Sequence, residues 1–182
     1  MSVKEVLRLG HPVLRKVADQ VAPDDFRTLE FANLIQDLRE TLVEQGGIGL
    51  AAPQIGVSLR VAIIEIEAGP TRYGELEAMP LTVFVNPQVK VLSSDTAGYW
   101  EGCLSVPGMR GFVERPQHIL VNYLDAEAVS QTIELTGFLA TVFQHEFDHL
   151  DGKLYVDHIR DMHQFAYEPE FERFVAPQLD QG

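Results

Sequence analysis

Gln144-His145-Glu146-Phe147-Asp148-His149-Leu150 is the stretch that decides how the rest of the sequence is read. Two histidines four residues apart lie on one face of a helix, about one turn from each other. Imidazoles placed that way can share one divalent ion. Glu146, directly after the first histidine, is then close enough to act on a water bound to that ion. Chance copies of H-E-x-x-H occur on ordinary surface helices, so the motif needs support. Phe138, Val142, His145 and His149 follow one another at helical spacings, which turns the histidines toward a core. Thr136 or Gly137 can start this helix and Gly152 can end it. A third protein ligand is required, because a catalytic site of this type takes three and leaves one position for water.

Cys103 is one candidate, in Trp100-Glu101-Gly102-Cys103-Leu104-Ser105. The residues leave three readings open: a small buried apolar side chain, a thiolate nucleophile served by a distant histidine, or the missing ligand. His11 beside Pro12 reads as a loop residue, and His158 and His163 lack the register of the pair. Upstream, Gly47-Ile48-Gly49-Leu50-Ala51-Ala52-Pro53-Gln54-Ile55-Gly56 is dominated by small residues. Glycine lets a backbone come close to a ligand or another strand. The G-K-[ST] ending of a phosphate loop is missing. A tightly packed turn remains the plainer alternative, and Gln54 is the run's one polar side chain.

The remaining pattern is mixed. Residues 26–45 have helical periodicity, with Asp24 or Asp25 as cap and Gly46-Gly47 as stop. Residues 59–66, 81–85, 89–92, 118–126 and 130–136 read as strands, with Asn86-Pro87 breaking the second from the third. Residues 67–80 read as an exposed loop. Pro169 and Pro177 predict a loose tail. At 182 residues, 46% hydrophobic and 23% charged, the composition is that of one ordinary globular domain. A net charge of −13 argues against nucleic acid as a direct partner. No apolar run reaches the ~18 residues that would span a membrane. The first residues show no basic-then-apolar secretory pattern. The single cysteine excludes an internal disulfide and fits a reducing compartment.

Taken together, the Gly47–Gln54 run, the Glu101–Ser105 run and the Gln144–Leu150 run resemble, in order, three motifs of the peptide deformylases. The resemblance covers roughly residues 5–160. It implies an α+β fold, with antiparallel strands around a central helix that carries the H-E-x-x-H motif. It implies one catalytic domain over 1–165 and a tail over 166–182 without an assigned role. The implied activity is hydrolysis of the formyl group from the N-terminal formylmethionine of newly made polypeptides, releasing formate. Cys103, His145 and His149 then become the metal ligands and Glu146 the general acid/base. Gln54 and the Leu104 N–H become the partners of the formyl oxygen. Ile48, Gly49, Tyr99, Glu101, Gly102, Phe138, Thr141 and Val142 become the substrate-binding wall. The implied ion in cells is Fe(II), with Zn(II), Ni(II) and Co(II) able to replace it. The implied setting is the cytoplasm, or an organelle of bacterial ancestry, with nascent chains as substrates and a transient contact to the ribosome. Pro53 and Thr141 depart from the family's usual residues, and Thr141 puts a hydroxyl in the expected pocket. Asp148 either orients a ligand histidine or is a solvated charge on the helix surface.

Overall fold

The run 61–66 has large apolar side chains at odd and even positions alike, so a strand made from it needs cover on both faces. The computed structural model, which describes residues 2–71 and 74–179, provides that cover with two helices. In chain order the elements are α1 (Leu29–Gln45), β1 (Gly49–Ala51), β2 (Val61–Ile66), β3 (Gly69–Thr71), β4 (Gly74–Leu76), β5 (Met79–Val91), β6 (Thr96–Cys103), β7 (Val106–Pro116), β8 (His118–Leu124), β9 (Ser130–Thr136), α2 (Gly137–Asp148) and β10 (Phe165–Tyr167). Strands β1-β2-β5-β8-β9 form a five-stranded antiparallel sheet. Leu50, Val61, Ile63 and Val85 point from it to Leu34, Leu38 and Leu42 of α1. Ala62, Ile64, Phe84, Ile119 and Val121 point the other way, to Phe143 and Phe147 of α2. The Phe84 ring lies 5.1 Å from Phe143 and 5.6 Å from Phe147. A second antiparallel sheet, β10-β7-β6, packs on Leu154 and Tyr155 through Val106 and Val113. Helix α2 therefore has one side on each sheet, and the α+β arrangement around a central helix is the one expected.

Several boundaries differ from expectation. Helix α1 starts at Leu29, because Thr28 is the residue whose side chain accepts from the Phe31 N–H, at 3.2 Å. Asp25 instead opens a short 3₁₀ turn, Asp25–Arg27. Asn86-Pro87 does not break a strand. β5 runs through it on a bulge between Val85 and Gln88, so the missing proline N–H falls where no ladder bond is needed. Asn86 takes a left-handed φ of 51°, and its side-chain amide both donates to Val21 O and accepts from the Val21 N–H, each at 3.0 Å. The expected loop at 67–80 contains the β3–β4 hairpin, although its residues 72 and 73 lie outside the described residues. So do Met1 of the N-terminus and the last three residues of the expected tail. Up to residue 179 that tail is not loose. β10 pairs with β7, helical turns follow over 168–179, and buried Phe171 packs 4.9 Å from Trp100. Pro169 sits in the first of those turns, where its missing N–H is harmless. Among the described residues no helix is long and apolar enough to cross a membrane.

Candidate active site

Three donor groups meet where α2 faces the β6–β7 sheet. His145 and His149 are one turn apart, with nearly perpendicular rings 5.2 Å between centroids. Gly152 closes the turn after His149 with a φ of 70°, and a side chain there would collide with the backbone of Arg15. Cys103 ends β6 just past an irregularity that begins at Glu101 and swings the thiol to the histidines. Its Sγ lies 3.4 Å from His149 Nε2, and the ligand atoms of Cys103, His145 and His149 all fall within 4.8 Å of one another. Sulfur and nitrogen ligands sharing one tetrahedral ion sit roughly 3.5 Å apart. The donor set fits a metal ion in spacing and in chemistry. Burial pushes the Cys103 thiol up, but His149 and His145 outweigh it and hold it well below its ordinary range. A thiolate is the form that ligates.

Glu101 fixes the orientation of His145. Its Oε2 accepts from His145 Nδ1 at 2.7 Å, which leaves Nε2 for the ion. Arg115 in turn holds Glu101 through Nε (2.6 Å) and Nη2 (3.1 Å), and reaches Asp148 through Nη1 (2.7 Å). Asp148 also pairs with His158 at 2.9 Å. Burial works against the charges of Glu101, Arg115, His145 and Asp148, and their partners win. The Glu101 carboxyl is lowered by His145 and Arg115, and Asp148 is lowered to about 2 by His158 and Arg115. His145 is raised well above its ordinary value, burial notwithstanding, by Cys103 and Glu101. Asp148 is thus neither a solvated charge nor a direct partner of a ligand histidine. It acts on His145 at two removes.

Glu146 is different. The residue is 6% exposed, and its Oε2 is buried with no hydrogen-bond partner. Burial raises its pKa. Gly49 of β1 lies against it, so close that a Cβ there would come within 2.5 Å of the Glu146 carboxyl carbon. Gln54 is nearly fully buried. Its Oε1 accepts from the Ala51 N–H at 2.8 Å, and its Nε2 lies 3.2 Å from Ser105 Oγ and 3.6 Å from Cys103 Sγ. The N-terminal strand of chain ties the two loops together: Leu7 N–H donates to Gln54 O and Leu9 N–H to Ser105 O, both at 2.8 Å.

Of these groups, Gln54, Glu101, Cys103, His145 and Glu146 line a cleft of about 610 Å³. Ile48, Gly49, Gly102, Leu104, Phe138, Thr141 and Val142 also line it. Two residues of the expected wall do something else. Tyr99 is not part of the lining: its hydroxyl bonds Gln117 at 3.1 Å and its ring packs edge-on to Phe138. Glu101 borders the cleft, but both its oxygens are taken by Arg115 and His145. The hydroxyl of Thr141 is also engaged, accepting from Gln117 Nε2 at 3.3 Å. Sequence reasoning missed Arg115, Trp100, Met109, Arg110 and Glu168. A signal for Arg115 existed: it lies two residues after Val113, on the inward face of an alternating strand.

A Cys-His-His donor set, half-buried at Cys103 and buried at His149, beside a buried carboxyl with one unpartnered oxygen and bordering a cleft, is the layout of a metal-dependent hydrolase. The polypeptide deformylase family model matches residues 3–165. The peptide deformylase of Leptospira biflexa is 40% identical over 172 residues, covering 94% of this chain and 96% of its own. Peptide deformylase 1 of Nitrosomonas europaea is 46% identical over 165 residues, covering 91% and 92%. The Met-Ala-Ser-bound crystal structure of the class I type b peptide deformylase from Acinetobacter baumannii superposes with a TM-score of 0.79 at 34% identity, covering 87% of this chain and 99% of that one. The chain belongs to the polypeptide deformylase family, hydrolases that remove the formyl group from N-terminal formylmethionine.

Proposed function

We propose that this chain deformylates N-formylmethionyl peptides, with Cys103, His145 and His149 holding a divalent ion and Glu146 carrying the proton. The observation that carries the reading is the buried, unpartnered Glu146 Oε2 next to the three donors. When bound, the ion supplies a nucleophilic water near neutral pH and polarises the formyl oxygen. One thiolate with two imidazoles suits Fe(II) and Zn(II), and the family resemblance favours Fe(II), with Ni(II) and Co(II) as substitutes.

The chain's own groups do the rest. Glu146 takes a proton as water attacks and returns it to the leaving nitrogen. Its raised pKa suits both halves of that task. Gln54 Nε2 and the Leu104 N–H donate to the formyl oxygen as charge grows on it. Glu101 keeps His145 in the ligating tautomer. β1 is the outer strand of its sheet, so an extended peptide can pair with Gly47-Ile48-Gly49 by main-chain bonds. Phe138, Val142 and Ile48 supply the apolar surface for methionine. The substrates are nascent chains in the cytoplasm, met during a transient contact with the ribosome. The test is formate release from formyl-Met-Ala-Ser by Fe(II)-loaded protein under low oxygen, with acetyl-Met-Ala-Ser as control. Release from the formyl peptide alone is expected. Undiminished release by Glu146→Ala would overturn the proton assignment.

A further inference from the structure

The mouth of the cleft carries a charge pair that the reaction does not use. Among the described residues, the lining side chains of acidic and basic residues, Cys103 aside, are Glu101, His145, Glu146, Arg110 and Glu168. The first three are buried at the metal end. Arg110 and Glu168 keep 35% and 42% of their side chains exposed, so they are the charges that an entering peptide meets. Arg110, on β7, lies flat along Gly102; a Cβ on that glycine would strike its guanidinium. Glu168 comes from the C-terminal segment. Its position follows from β10, which pairs Ala166 with Arg110 and Tyr167 with Met109, and from the burial of Phe171 three residues on. Arg110 Nε donates to Glu168 Oε1 at 2.9 Å, and Nη2 donates to the same oxygen.

We propose that Glu168 is a specificity-determining residue: it masks Arg110 at the cleft mouth, so that the site does not favour peptides with acidic residues after the methionine. A lone guanidinium there would attract carboxylates. A lone carboxylate would attract lysine and arginine. The pair leaves the mouth close to neutral, which suits an enzyme that must accept many sequences. Because the pair is half in water, an entering charge can compete for either partner. The proposal rests on the deformylase reading.

The test compares C-terminally amidated formyl-Met-Ala-Asp and formyl-Met-Ala-Lys at about 20 mM salt, where exposed charges are weakly screened. The readout is the Asp-to-Lys ratio of kcat/KM within each enzyme, so a general loss of activity cancels. Glu168→Gln is expected to raise this ratio roughly two- to fivefold, the range of an exposed ion pair. Arg110→Gln is expected to lower it, and the double variant to return it close to wild type. High salt should flatten all four proteins. A ratio unmoved in Glu168→Gln, or a rise that persists without Arg110, overturns the proposal. If wild type releases no formate from either peptide, the deformylase reading has failed instead. Equilibrium binding of Met-Ala-Asp and Met-Ala-Lys amides to the four metal-loaded proteins then reads the same ratio.

Discussion

Helix α2 is held by different forces on its two sides. Toward the five-stranded sheet, Phe143 and Phe147 pack in an apolar cluster with side chains such as Phe84 and Ile64. Toward the β6–β7 sheet, His145 is held by Glu101, Glu101 by Arg115, and Arg115 by Asp148. Apolar contact is non-directional and its loss is graded by volume. A buried charge chain is directional, and each member leaves the next one unpaired when removed. The first side can set where the helix lies. Only the second can set where a ligand nitrogen points.

Glu146→Ala should show the largest effect, a fall in kcat of about 10²–10⁴. Metal content should stay at wild-type level. Thermal stability should hold or rise, because a buried carboxylate oxygen without a partner is removed. Calorimetry showing a large stability loss would mean that Glu146 belongs to the structural side. Arg115→Met should strike both properties. Stranding Glu101 and Asp148 costs roughly 3–5 kcal/mol in urea unfolding. Losing the support of His145 should weaken the ion roughly tenfold to a hundredfold in a chelator competition. Metal affinity equal to wild type would break the proposed line from Arg115 to His145. Phe84→Ala should cost about 3–5 kcal/mol of stability while kcat per bound ion stays near wild type at low temperature. A matching fall in kcat would show that the two sides are coupled. Thr28→Ala, far from both, removes the α1 cap and should cost about 1 kcal/mol, with kcat/KM unchanged.

The same contrast explains what could be read from the sequence. Strands β2, β8 and β9 and helix α2 itself are local patterns, whereas β6 and β7 are not among the expected strands; His145, Glu146 and His149 lie within one turn of one another. Cys103 could be joined to them only through the resemblance, since no local pattern connects residue 103 to residue 145. Asn86-Pro87 was misread because the group that stabilises the bulge is Val21, 65 residues away. The resemblance implies Glu101 in the substrate wall, and the residue does border the cleft, but a charge beside Cys103 carries no sign of its ion-pair partner. Arg115 lies 14 positions further on and Asp148 in another element. The tail reads as loose on Pro169 and Pro177, and Phe171 between Glu170 and Glu172 gives no contrary sign. Its burial depends on Trp100, 71 residues earlier, an aromatic contact that no periodicity announces.

Gly49 has a consequence for how such an enzyme can change. At Gly49 the surface against the Glu146 carboxyl is main chain, and a methyl group there would already intrude. Side chains elsewhere in the cleft can be exchanged, and peptide preference with them. The wall that Gly49 forms beside the Glu146 carboxyl offers no side chain to exchange. Substrate range can therefore drift from one lineage to the next while the room around the proposed proton carrier stays fixed by the backbone.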